Sequence, residues 1–152
     1  MAIMKIETFC ITGITVRTSN APGMAEKDIP QLWNRFFAEN IINQLLYTTS
    51  NDIYCVYTQY ETDYTGPYTA ILGCRVEKSV PAPAGFASVT IEAGNYNLFT
   101  AKGNLQEGVV FNEWTGIWQS SLKRSYTTDF EVYGKKAHNP ASAEVDIFIA
   151  ID

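Results

Sequence analysis

The amino-acid sequence predicts an α+β domain made of two β-α-β-β units related by a pseudo-twofold axis. Three observations carry that prediction. Segments of alternating apolar and polar residues, rich in β-branched side chains, are interrupted once in each half by a segment of helical spacing. Trp33 and Phe37 stand four apart on the first helical segment, as Trp114 and Trp118 do on the second. Tyr57-Thr58-Gln59-Tyr60-Glu61 matches Thr127-Thr128-Asp129-Phe130-Glu131 as x-Thr-x-aromatic-Glu. One domain over residues 1–152 is expected, with pseudo-repeats at about 1–80 and 85–152. Such a duplication builds one sheet system with two helices and leaves a cleft where the halves meet, a common place for ligands.

Lys5 to Thr18 alternates and reads as one strand, with a bulge or bend at Gly13. Ser19 to Lys27 holds Pro22 and Gly23 and reads as a loop. Asp28-Ile29-Pro30-Gln31 has the pattern of a helix start, with Asp28 as cap, Pro30 in the first turn and Gln31 at capping-box spacing. Leu32, Trp33, Phe36 and Phe37 then define an aromatic-rich buried face. Asp52 to Glu61 and Tyr68 to Glu77 read as strands joined by a turn containing Asp63, Gly66 and Pro67. Val80 to Gly85 is a stiff Pro/Ala/Gly connector. Phe86 to Ala101 supplies one or two strands, with Gly94 placed much as Gly13 is. Asn104-Leu105-Gln106-Glu107 is a second capping-box start, and Val110, Trp114, Ile117 and Trp118 mark the buried face of the helix it opens. Asp129 to Tyr133 is strand-like, Gly134 to Ala143 is a loop, and Glu144 to Ile151 is the last strand.

Composition excludes several functions. The chain is 46% hydrophobic and 18% charged, so it folds rather than staying disordered. Eleven basic against 16 acidic residues give a net charge of −5, which argues against direct nucleic-acid binding. No run of apolar residues is long enough for a membrane helix, and the N-terminus has no signal-peptide pattern, so a cytoplasmic location is expected. Cys10, Cys55 and Cys74 are irregularly spaced within apolar runs; they read as reduced core thiols, with neither a disulfide framework nor a metal motif. No metal or cofactor is expected. His138, the only histidine, falls in a loop and reads as a surface residue.

The chemistry concentrates at residues 124–133. On a strand, Asp129, Glu131 and Tyr133 share one face while Phe130 and Val132 point the other way. The residues leave two readings of Glu131 open. It is either a solvent-facing glutamate paired with Arg124 or a lysine, or a carboxylate facing an aromatic cavity, where only a cation offsets its burial. In the second case a positive charge about 4 Å away contributes roughly 4 kcal/mol at an effective dielectric of ~20, before desolvation. Aromatic faces add roughly 0.5–2 kcal/mol each. Glu61 is the repeat-mate of Glu131 and is expected in solvent at a strand end. The aromatics carry the same ambiguity between core volume and a stacking cavity. Nine tyrosines favour a half-wet interior, because each buried hydroxyl needs a partner. Glu131 with Tyr133 or Tyr57 also has the make-up of an acid–base pair.

Ile29-Pro30-Gln31-Leu32-Trp33-Asn34-Arg35-Phe36, Ile53 to Glu61, Tyr68 to Gly73, Trp114, Trp118 and Asp129 to Tyr133 together resemble the GyrI-like small-molecule-binding domain. This is the effector-binding domain of AraC-type and MerR-type multidrug regulators, and the likeness is to stand-alone members carried on integron gene cassettes. The resemblance implies an antiparallel sheet or half-barrel with two helices and a central pocket for bulky hydrophobic cations. It implies Glu131 as the residue that meets the cation, and Trp33, Phe37, Trp114, Trp118, Tyr57, Tyr68 and Tyr133 as ligand-binding neighbours. Family regulators carry a helix-turn-helix ahead of this domain, whereas this sequence starts on the first strand, so it is not expected to read an operator itself. Three functions follow as expectations: a binding protein for cationic drug-like molecules, a small hydrolase of electrophilic toxins using a Glu/Tyr pair, or an interaction module. The last would act on a protein partner such as a DNA-binding regulator, or as a homodimer.

Overall fold

A computed structural model describes residues 2–77 and 81–152. The strands are β1 (Ala2–Ile6), β2 (Phe9–Ser19), β3 (Ile53–Thr58), β4 (Pro67–Val76), β5 (Ala87–Ile91), β6 (Gly94–Gly103), β7 (Thr128–Tyr133) and β8 (Ala143–Ala150). The helices are α1 (Ala25–Ala38) and α2 (Val109–Trp118). All eight strands join one antiparallel, curled half-barrel sheet in the order β1-β6-β8-β7-β3-β4-β2-β5.

The order is palindromic about the β7–β3 ladder. Mapping Ile11 onto Tyr96, Cys55 onto Glu131 and Leu72 onto Ile147 carries each ladder of the first half onto one of the second. The pseudo-twofold axis therefore runs between Cys55 and Glu131, which pair directly. This corrects the repeat read from sequence. The mate of Glu131 is Cys55, and Glu61 lies beyond the end of β3, exposed and 3.5 Å from Arg17. The segment Lys5 to Thr18 is also two strands rather than one. The chain breaks after Ile6; β1 then pairs with β6 and β2 with β5, so each half lends its first strand to the edge of the other.

Gly13 is no bulge. The β2–β4 register runs unbroken from Cys10↔Val76 to Ser19↔Pro67, and Gly13 faces Gly73. A Cβ on either glycine would overlap the opposing backbone, so the pair is there to let two strands approach closely. Gly94 opens β6 and does not share this role.

Helix α1 begins earlier than its capping pattern suggests. Met24 precedes it, Asp28 lies inside its first turn, and Pro30 sits within the helix. Pro30 and Glu26 are exposed, so water can serve the carbonyl that the missing N–H leaves unpaired. Leu32 and Phe36 are buried, but Phe37 is 64% exposed. At α2, Asn104 accepts from the Gln106 N–H and caps only a short 3-10 turn, Leu105–Glu107. Gly108, at φ +76°, then redirects the chain into the helix.

Both helices lie on one face of the sheet. Leu32 and Phe36 of α1 pack with Ile14, Cys55, Ala70 and Leu72. Trp114 and Ile117 of α2 pack with Ala101, Val145, Ile147 and Ile149. The opposite face holds Phe9, Ile11, Tyr54, Val56, Ile71, Ile91, Tyr96 and Phe130. Strand alternation thus sends Phe130 to one core and Asp129 and Glu131 to the other side, beneath the helices. The Pro/Ala/Gly connector is described from Pro81, where it runs outside any strand; its Val80 lies outside the described residues.

Candidate functional site

Glu131 lies at the middle of β7, beside the pseudo-twofold axis and between the two helices' cores. It is 2% exposed. Three side chains from three elements donate hydrogen bonds to it. Trp114 Nε1 on α2 reaches Oε2 at 2.6 Å, Tyr57 Oη on β3 reaches Oε2 at 3.0 Å, and Tyr133 Oη on β7 reaches Oε1 at 2.8 Å. Tyr57 and Tyr133 are equivalent under the pseudo-twofold, so the duplication itself supplies one donor from each half.

Every one of those donors is neutral. Among the described residues no cationic side chain forms an ion pair with Glu131. Burial pushes its carboxyl above the ordinary glutamate range, and the bonds from Trp114, Tyr133 and Tyr57 pull against that. Burial, then Cys55 and Glu131, hold the Tyr57 phenol well above its usual range; burial and Glu131 do the same to Tyr133. Both phenols are therefore donors at neutral pH.

The rings around the carboxylate form a box. Tyr57 meets Trp114 edge-on at 5.3 Å between centroids, and Trp33 of α1 meets Tyr133 edge-on at 4.7 Å. Tyr68 packs edge-on against Tyr57 at 5.7 Å, and its hydroxyl donates to Asn20 Oδ1 at 2.8 Å. Phe37 touches only the outer side of this group, 5.9 Å from Trp33. Trp118 packs against the core beneath α2 and makes its ring contacts with others, stacked parallel to Tyr64 and edge-on to Phe111. The structure thus gathers Trp33, Tyr57, Tyr68, Trp114 and Tyr133 about Glu131, and places Phe37 and Trp118 farther out.

Asp129, which shares the Glu131 face of β7, is a second buried carboxylate. Asp129 is fully buried, and Arg124 donates from Nη2 to its Oδ2 at 2.8 Å. Tyr60 Oη donates to Oδ2 at 2.6 Å, and the Ala150 backbone N–H donates to Oδ1 at 2.9 Å. Arg124 therefore pairs with Asp129 and not with Glu131. Burial raises the Asp129 carboxyl while Arg124 and Tyr60 oppose the rise. Tyr60, one of the sheet tyrosines of the sequence, and Tyr126 belong to this cluster; the sequence signal for it is an arginine five positions before an aspartate.

Two surface clefts, of about 450 and 430 Å³, lie elsewhere. The first is rimmed by Lys102, Lys135 and Lys136, the second by Phe9, Tyr54, Arg75 and Phe148, and neither reaches Glu131. Among the described residues no cluster has the make-up of a metal site, and no helix is long and apolar enough to cross a membrane.

The pseudo-twofold half-barrel with two helices on one face is the fold expected of an effector-binding domain. The chain belongs to the Cass2 family of integron-associated effector binding proteins, whose sequence model matches residues 2–151. It is 33% identical over 144 residues to YobU of Bacillus subtilis, provisionally named a transcriptional regulator protein, covering 91% of this chain and 89% of YobU. Its structure is similar to the integron cassette protein VCH_CASS2 of Vibrio cholerae, with a TM-score of 0.75 and 31% identity over 99% of this chain and 95% of that one. It also shares its fold with SAV2435, solved bound to tetraphenylphosphonium, at a TM-score of 0.74 and 18% identity over 99% and 93% of the two chains.

Proposed function

We propose that this effector-binding protein takes hydrophobic cationic molecules at Glu131, in the cytoplasm. The observation that carries the reading is a fully buried carboxylate with three neutral donors and, among the described residues, no ion-pair partner. An ionised group in that position is costly, and a ligand cation offsets the cost. Tyr57, Tyr133, Trp114 and Trp33 offer ring faces and edges, so an approaching cation gains from both carboxylate and aromatics. The tetraphenylphosphonium complex of SAV2435 supports the choice of ligand class. Glu131 is 2% exposed, so a ligand enters by turning side chains aside; Trp33 is half-buried and packs beside exposed Phe37.

A hydrolase reading uses the same Glu131, Tyr57 and Tyr133. It is the weaker one, because both phenols are held protonated and both spend their proton on the carboxylate. The regulator name given to YobU favours a role in which ligand capture is passed to a DNA-binding partner.

The test is titration of a lipophilic dye cation followed by quenching of tryptophan fluorescence. Wild type should bind, and Glu131→Gln should lose at least about tenfold in affinity. Equal affinities would remove Glu131 as counter-ion.

A further inference from the structure

Beside the Glu131 box lies a buried charge whose hydrogen bonding is incomplete. The Arg124 side chain is 3% exposed. Its Nη2 serves Asp129, but Nε and Nη1 are buried with no partner among the described residues. A guanidinium is all donor, and buried donors are rarely left unmatched.

The backbone is strained to build this spot. Gln59 and Tyr126 adopt left-handed conformations, φ +51° and +56°, that side chains other than glycine disfavour. Gln59 immediately precedes Tyr60, whose hydroxyl donates to Asp129. Tyr126 lays its ring 4.4 Å from the Arg124 guanidinium carbon. Strain of this kind persists where the surroundings over-determine it, and it gathers at ligand sites. The same guanidinium carbon is 5.8 Å from the ring centroid of Trp114, whose N–H donates to Glu131. Arg124 and Glu131 thus share one indole wall.

Charge decides what Arg124 can receive. Asp129 already balances it, so a second anion would meet Asp129 as well. A neutral oxygen meets the donors without that repulsion.

We infer that the Nε–H of Arg124, on a different edge of the guanidinium from Nη1, is a subsite donor for a neutral carbonyl oxygen on the same aromatic cation that pairs with Glu131. The inference rests on the cation-binding reading above. It names the ligand class as aromatic cations bearing a ketone, ester or amide, in preference to purely hydrocarbon cations.

Two probes test it: tetraphenylphosphonium with a para-acetyl group on one ring, and its isosteric para-isopropenyl analogue, which lacks the oxygen. Calorimetry on wild type should favour the acetyl probe by about fivefold or more, and Arg124→Lys should bring the ratio towards one. Should that variant fold poorly, the wild-type protein still decides. The Arg124 Nε–H resonance should shift on adding the acetyl probe and stay put with the isopropenyl one. Equal wild-type affinities with an unmoved resonance overturn the carbonyl subsite and leave Glu131 as counter-ion. Binding of neither probe overturns both readings.

Discussion

Asp129 and Glu131 stand two residues apart on one strand, face the same side and are both buried, yet their surroundings differ in kind. Asp129 has an arginine, a tyrosine hydroxyl and a backbone N–H. Glu131 has two tyrosine hydroxyls and an indole N–H, all neutral. Hydrogen bonding is therefore matched, three donors against three, and only the counter-charge separates the two. Asp129 is an ion pair completed within the fold. Glu131 has no ion-pair partner among the described residues. The two halves of the chain make a parallel point. On the pseudo-twofold, the residue facing Glu131 is Cys55, a neutral thiol that burial holds well above its usual range. A carboxylate in both places would put two like charges against each other in the interior.

The sharpest way to break the comparison is to make Asp129 resemble Glu131. Arg124→Met removes the internal cation and leaves a buried aspartate uncompensated. It should destabilise the protein by about 3–5 kcal/mol in urea denaturation. A loss below about 1 kcal/mol would mean that Asp129 does not depend on its partner.

Changing the other carboxylate should act mainly on pH dependence. The Glu131 carboxyl is raised in the folded state, so the folded protein holds its proton where the unfolded chain has released it. The contribution of Glu131 to the stability of the ligand-free protein should be full below the ordinary glutamate range and be lost as pH rises through that range to the raised value. Glu131→Gln should flatten that fall and gain about 1–2 kcal/mol near neutral pH. Asp129, raised in the same direction, leaves a residual slope. An identical thermal-melt profile against pH in wild type and variant would remove the assignment. For the ligand the sign is reversed: cation affinity of wild type should increase with pH over the same window.

A smaller effect is expected from Tyr133→Phe. It removes one of three donors and should cost about 1 kcal/mol in stability while raising the Glu131 titration further. The smallest belongs to Phe37→Ala. The side chain is 64% exposed, so stability should move by no more than about 0.5 kcal/mol. A larger loss would place Phe37 inside the packed structure rather than at its rim.

Much of the fold was legible from short-range pattern. Alternation places Asp129, Glu131 and Tyr133 on one side of β7 and Phe130 on the other, and the structure keeps that division. Helical spacing found both helices. The boundaries were less legible because local cues compete: Pro30 resembles a first-turn proline but sits deeper in α1, and Asn104 caps a 3-10 turn that Gly108 ends. Residue types show the repeat in kind but not its alignment. Matching residue types put Glu61 opposite Glu131, whereas register put Cys55 there.

The sequence by itself determined most of the elements and their order, though not the break after Ile6, and the presence of a mid-strand glutamate with Tyr133 on the same side. These depend on periodicities of two and about four residues, which neighbours along the chain express directly. Tertiary structure alone decided which carboxylate receives the arginine, which strand each edge joins and which rings meet at Glu131. Tyr57 reaches Glu131 across 74 positions of sequence, and Trp114 across 17 from a different element. A one-residue change of register would turn either tyrosine-bearing strand over, so those contacts exist only once the ladders have closed.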